Sequence, residues 1–66
     1  MINYSVGTYL KYNDGSMARI VTYDAKEKFY LVEMYNELNN FIGGLAIHES
    51  YIQDNVSEVI IPRKIA

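Results

Sequence analysis

Val6 to Met34 reads V-G-T-Y-L-K-Y-N-D-G-S-M-A-R-I-V-T-Y-D-A-K-E-K-F-Y-L-V-E-M, and two turn signals divide it into three β-rich runs. The first signal is Asn13-Asp14-Gly15. Glycine accepts a positive φ without a Cβ clash, and Asn or Asp can bond its own backbone, so an Asp-Gly pair between apolar runs marks a hairpin. The second signal, Asp24-Ala25-Lys26-Glu27-Lys28, is longer and charged. It separates Ile20-Val21-Thr22-Tyr23 from Phe29-Tyr30-Leu31-Val32. The spacing predicts a three-stranded meander.

Strand side chains alternate between faces. In the second run this puts Ala18, Ile20 and Thr22 on the core side, with Met17, Arg19, Val21 and Tyr23 opposite them. Arg19 and Tyr23 are therefore expected to share a wetter face. The third run is apolar or aromatic on both sides: Phe29 and Leu31 with Glu33 and Tyr35, against Tyr30, Val32 and Met34. Such a strand is either the central strand of a sheet curled upon itself or one that shows an aromatic face to a partner.

Working outward, Ile2, Tyr4 and Val6 alternate before Gly7, and residues 1–12 read as one bent strand or two short ones. Asn36-Glu37-Leu38-Asn39-Asn40 has the composition of a loop. Phe41 to Ile47 is a strand interrupted by Gly43-Gly44, the mark of a bulge or corner. Residues 48–55 have room for one helical turn, with Tyr51 and Ile52 facing inward. Val56, Val59, Ile60 and Ile61 supply a last strand that Pro62 ends, since proline cannot donate to a ladder. The expected fold is all-β: a small five-stranded antiparallel barrel spanning residues 1–62, with at most one short helical turn and a tail at 63–66.

The chain has 66 residues, enough for one domain and one modest core, since a chain of this size buries about 60% of its unfolded surface. Half of it is apolar, which suffices for a core without disulfides, and there is no Cys for a disulfide frame or a thiolate metal site. No basic region precedes an apolar run at the N-terminus, and no apolar run approaches a membrane span of roughly 18 residues. A cytoplasmic protein with no membrane association is expected. Six basic against eight acidic residues give a formal charge of −2, which disfavours a nucleic-acid partner, because that affinity rests on cations.

Catalysis finds little to work with. His48-Glu49-Ser50 has the residue types of a hydrolytic triad, but three consecutive side chains do not converge in a strand or helix. His48, Glu49 and Asp54 lack the spacing of a metal site, and no cofactor is expected. Gly43-Gly44 lies between apolar strand residues, whereas a phosphate cradle leads into a helix N-terminus. Tyrosine is the compositional anomaly. Seven in so small a chain cannot all be buried, and tyrosine suits a binding face because it is amphipathic and has few rotamers. Tyr23 and Tyr35, at strand ends beside polar loops, are the first candidates, with Arg19, Lys11 and Tyr12 beside them.

The pattern V-G-T-Y-L-K-Y-x-D-G-x-x-A-R-I-V-x-Y-D-x-K-x-x-F-Y-x-V over Val6 to Val32 resembles the opening strands of Src-homology-3-like small barrels, particularly the Tudor and KOW groups. The resemblance implies an SH3-like barrel. Its Tudor side implies methyl-lysine reading, and its KOW side implies association with nucleic acid. Ser16-Met17 stands where a Tudor hairpin usually carries aromatic residues, and Ala18 where the KOW signature wants Gly. Read as a complete chain from Met1, the protein has no tethered catalytic domain, so its effect is expected to come from docking. The first functional expectation is a non-enzymatic protein-binding module, such as an inhibitor or regulator of a larger host protein encoded by a phage or other mobile element. The alternative is a KOW- or Tudor-like module. A protein partner is expected in the first case, and self-association is open in both.

Overall fold

A computed structural model describes residues 4–62. Five strands form one antiparallel sheet: β1 (Tyr9–Tyr12), β2 (Met17–Asp24), β3 (Phe29–Tyr35), β4 (Phe41–His48) and β5 (Val56–Ile60). Their spatial order is β4-β3-β2-β1-β5. The chain is all-β, and no helix occurs among the described residues. The sheet is not closed by hydrogen bonds, so β4 and β5 are its two edges. The expected tail at 63–66 and the alternation at Ile2 lie outside the described residues.

Both turns of the meander form where the sequence puts them. Gly15 has φ +91°, and its N–H donates to the Tyr12 carbonyl at 2.9 Å. Asp14 Oδ1 accepts from the Ser16 N–H at 2.9 Å and from the Ser16 hydroxyl at 2.6 Å. These two bonds hold the Asp14 carboxyl below its usual range, the hydroxyl first and the backbone amide second. In the second turn Asp24 Oδ1 accepts from the N–H groups of Lys26 and Glu27. An acceptor placed at the start of a turn satisfies amides that have no ladder partner.

The period-two reading of β2 fails at Val21. Ile20 pairs with Val32 and Thr22 with Leu31, so Val21 has no partner and forms a bulge. One extra residue turns everything after it to the other face. Tyr23 therefore lies opposite the buried Tyr30, on the core side, while Arg19 stays on the outer side. The expectation that Arg19 and Tyr23 share a face is corrected. A similar shift leaves Ile42 unpaired beside Gly43, at the bulge the glycine pair foreshadowed.

The core occupies one face. Leu10, Ala18, Ile20, Tyr30 and Val32 are buried there, and Tyr4, Tyr12, Tyr23, Met34, Ile47 and Val56 pack around them. The lid over this face is Ile52, 2% exposed, from the segment that crosses from β4 to β5. That segment forms turns, with Tyr51 N–H to the His48 carbonyl at 2.9 Å and Asp54 N–H to the Tyr51 carbonyl at 3.0 Å. The place of the expected helical turn is thus taken by successive tight turns. Ile52 faces inward as expected, but Tyr51 points outward and is exposed. Tyr30 is the largest fully buried side chain, and its phenol oxygen accepts the Tyr4 N–H at 3.1 Å. Tyr4 meets its ring edge-on with centroids 5.8 Å apart, and Tyr23 packs against it at a tilt, at 4.5 Å. No buried side-chain polar atom among the described residues lacks a partner.

The third strand is an interior strand of an open sheet, covered on one side only. β3 lies between β2 and β4, with Tyr30 and Val32 buried and Leu31 exposed on the outer side.

A Cβ at position 15 would stand 3.1 Å from the Glu37 Cβ, on a backbone that L-residues avoid. Gly15→Ala should therefore lower stability by about 1 kcal/mol or more, read as a shifted urea midpoint. An unchanged midpoint would contradict the strained turn.

Candidate binding surface

Directly opposed residues of an antiparallel pair share a face. On the outer face this aligns two rows across the sheet. One is Ile60, Tyr9, Arg19, Glu33 and Gly44; the other is Glu58, Lys11, Met17, Tyr35 and Phe41. Three of the candidates, Lys11, Arg19 and Tyr35, therefore stand together. Arg19 Nη1 donates to Glu33 Oε1 at 2.9 Å, and the Tyr35 hydroxyl donates to the same oxygen at 3.3 Å. The pair is partly exposed and adds little stability.

Beside this row the outer face is largely apolar, with the exposed Thr22 standing opposite Leu31. Val21, Leu31 and Phe41 are 41%, 45% and 60% exposed, with Ala46 exposed next to them. The Phe41 ring meets Tyr35 edge-on, centroids 5.8 Å apart, and joins the apolar patch to the Arg19–Glu33–Tyr35 group. Lone exposed apolar residues are ordinary, whereas a contiguous patch rimmed by polar groups is the form of an interaction site.

The remaining two candidates lie on the core side. Tyr12 donates its hydroxyl to the Ile52 carbonyl at 3.0 Å, tying β1 to the crossing segment. Burial raises its pKa, with Tyr4 and then Asp54 adding to the effect. Tyr12 also walls an open cleft of about 420 Å³ with Met34, Ile47, Tyr51, Asp14 and Asp54. The Tyr23 hydroxyl donates to the Glu49 carboxylate. Alternation puts Val21 opposite the core, where it is found, but sequence reasoning did not single out Val21, Leu31, Phe41 or Ala46 as binding candidates. The two-sided apolarity of the third run was the signal for Leu31.

His48 and Ser50 do meet, with Nδ1 2.8 Å from the hydroxyl oxygen, because His48 ends β4 and Ser50 lies in the turn that follows. The Ser50 N–H also approaches Nδ1, at 3.2 Å. Glu49 points away to Tyr23, so the three do not assemble as a triad. Among the described residues no group of His, Asp and Glu is placed to hold a metal ion, and no helix is long and apolar enough to cross a membrane. No protein-family model, curated protein or solved structure matches the chain.

The Glu49 carboxylate, followed by desolvation, pushes the Tyr23 pKa up from 10.0 to about 12. A phenol whose folded pKa is raised favours the folded state while it stays protonated. That contribution is complete below pH 10 and is lost as pH rises from about 10 to about 12. Alkaline denaturation should accordingly be shallower in Tyr23→Phe than in wild type across this window. Identical pH profiles would show that the Tyr23–Glu49 bond carries no such linkage.

Proposed function

We propose that the protein is a non-enzymatic protein-binding module that docks through the outer face of β2, β3 and β4. The observation that supports this reading best is the patch of Val21, Leu31, Phe41 and Ala46, continuous with Tyr35 and the Arg19–Glu33 pair. Aromatic residues and Arg are the types enriched at protein interfaces, and Phe41, Tyr35 and Arg19 supply them beside the aliphatic patch. In this reading the half-curled sheet is a small SH3-like barrel used as a scaffold in the cytoplasm, and the partner is a larger protein whose activity the module inhibits or regulates.

A second reading has one observation in its favour. The open cleft is lined by Tyr12 and Tyr51 together with Met34, Ile47, Asp14 and Asp54. This is compatible with the methyl-lysine-reading side of the Tudor resemblance, since aromatic walls and carboxylates suit a cation. Nucleic-acid association has weaker support, because Arg19 is committed to Glu33 and the chain is acidic.

Capture from host lysate, with and without nuclease, tests the first reading. Leu31→Thr and Phe41→Thr keep β-propensity and touch only the outer face, so both variants should fold. Each should weaken capture by about 1 kcal/mol or more, as should Arg19→Ala. Recovery of the same proteins by the folded triple variant would refute it. So would capture of nucleic acid alone that nuclease removes.

A further inference from the structure

The two edges of the sheet differ in how they are guarded. Edge strands expose unpaired backbone groups and are normally blunted by charge, proline or a bulge. β5 carries Glu58, a bulge at Ser57 and Pro62 just beyond its end. β4 reads Phe41-Ile42-Gly43-Gly44-Leu45-Ala46-Ile47 before His48, without one charged residue or proline. Its bulge at Ile42 sits at one end, so residues 43–47 run in regular register with β3. Among the described residues, the backbone of 41–47 makes no hydrogen bond outside that ladder. Ile42 and Leu45 are 63% and 53% exposed along it.

We infer that β4 pairs antiparallel with β4 of a second copy, joining two five-stranded sheets into one of ten across a two-fold axis near Gly44 and Leu45. Self-pairing is favoured because an isologous antiparallel contact sets each residue of the strand against another of the same strand. A charge anywhere on such a strand meets its own kind or an apolar partner. β4 has none, so the contact leaves no charge unpaired. Gly43, Gly44 and Ala46 let the two backbones approach, and Leu45 and Ile42 lose exposed apolar surface against residues of the second copy's strand. With the axis perpendicular to the sheet, both outer faces stay on one side. The Leu31 and Phe41 patches of the two copies then lie side by side, which presents the docking face twice. One strand edge covers less than the roughly 800 Å² per partner of a standard interface, so the dimer is reversible and depends on concentration.

Sedimentation equilibrium of the purified protein tests this without any outside partner, so its outcome is independent of the docking proposal. The weight-average mass should climb from 7.6 kDa toward twice that value as concentration rises from about 1 μM to about 1 mM. Leu45→Lys should hold the mass at that of the monomer with an unchanged melting temperature, and Val59→Lys on β5 should still dimerise. If Leu45→Lys does not fold, Ala46→Lys serves instead. Amide hydrogen exchange of residues 43–47 should slow with concentration, while that of β5 does not. A monomer throughout the range overturns the inference. So does a dimer that survives Leu45→Lys, or one that Val59→Lys abolishes.

Discussion

The fold depends on burial of the Tyr30 ring against one face of the sheet. A five-stranded sheet has two faces, and the described residues cover only one. Tyr30 fills the middle of that face, Tyr4 and Tyr23 pack against it, and Ile52 closes the far side. Its phenol would cost folding energy if left dry, and the Tyr4 amide removes that cost. Leu10, Ala18, Ile20 and Val32 complete the interior around it. The Val21 bulge is part of the same solution, because without it Tyr23 would project to the outer side and leave Tyr30 half covered.

The outer face follows from that economy. Once the crossing segment has been spent on the inner side, no described element remains to cover Leu31, Val21 and Phe41. Those side chains keep the strand propensity of β-branched, aliphatic and aromatic residues, yet they stay in water. A sheet whose outer face served only for solubility would carry polar residues at these positions. Arg19, Glu33 and Tyr35 are joined through the Glu33 carboxylate at the margin of the patch, and Thr22 opposite Leu31 is the polar residue within it.

Much of the architecture was legible in the sequence because it rests on local chemistry. The Asp14-Gly15 turn, the charged turn at Asp24, the Asn-rich loop at 36–40 and the irregularity beside Gly43 are each fixed by residues within a few positions of one another. The buried set Ala18, Ile20, Tyr30 and Val32 follows from alternation as long as the register holds. What was not legible depends on non-local register. The bulge at Val21 arises from pairing with β3 and moved Tyr23 to the other face. A helical turn at 48–55 would bring Tyr51 inward beside Ile52, but successive tight turns put it outward. The binding candidates divided accordingly: Lys11, Arg19 and Tyr35 converge on the outer face, whereas Tyr12 and Tyr23 brace the core side.

That one face carries the core and the other is free for docking is tested most directly at two neighbouring positions of β3. Leu31 and Val32 are adjacent and aliphatic, but they point to opposite sides, at 45% and 2% exposure. Urea denaturation of Leu31→Ala and Val32→Ala compares the two faces on one strand. Val32→Ala should lose about 2 kcal/mol or more, through lost burial and the cavity left behind, and Leu31→Ala less than about 0.5 kcal/mol. Equal losses would mean that both sides of β3 are packed, and that no free outer face exists.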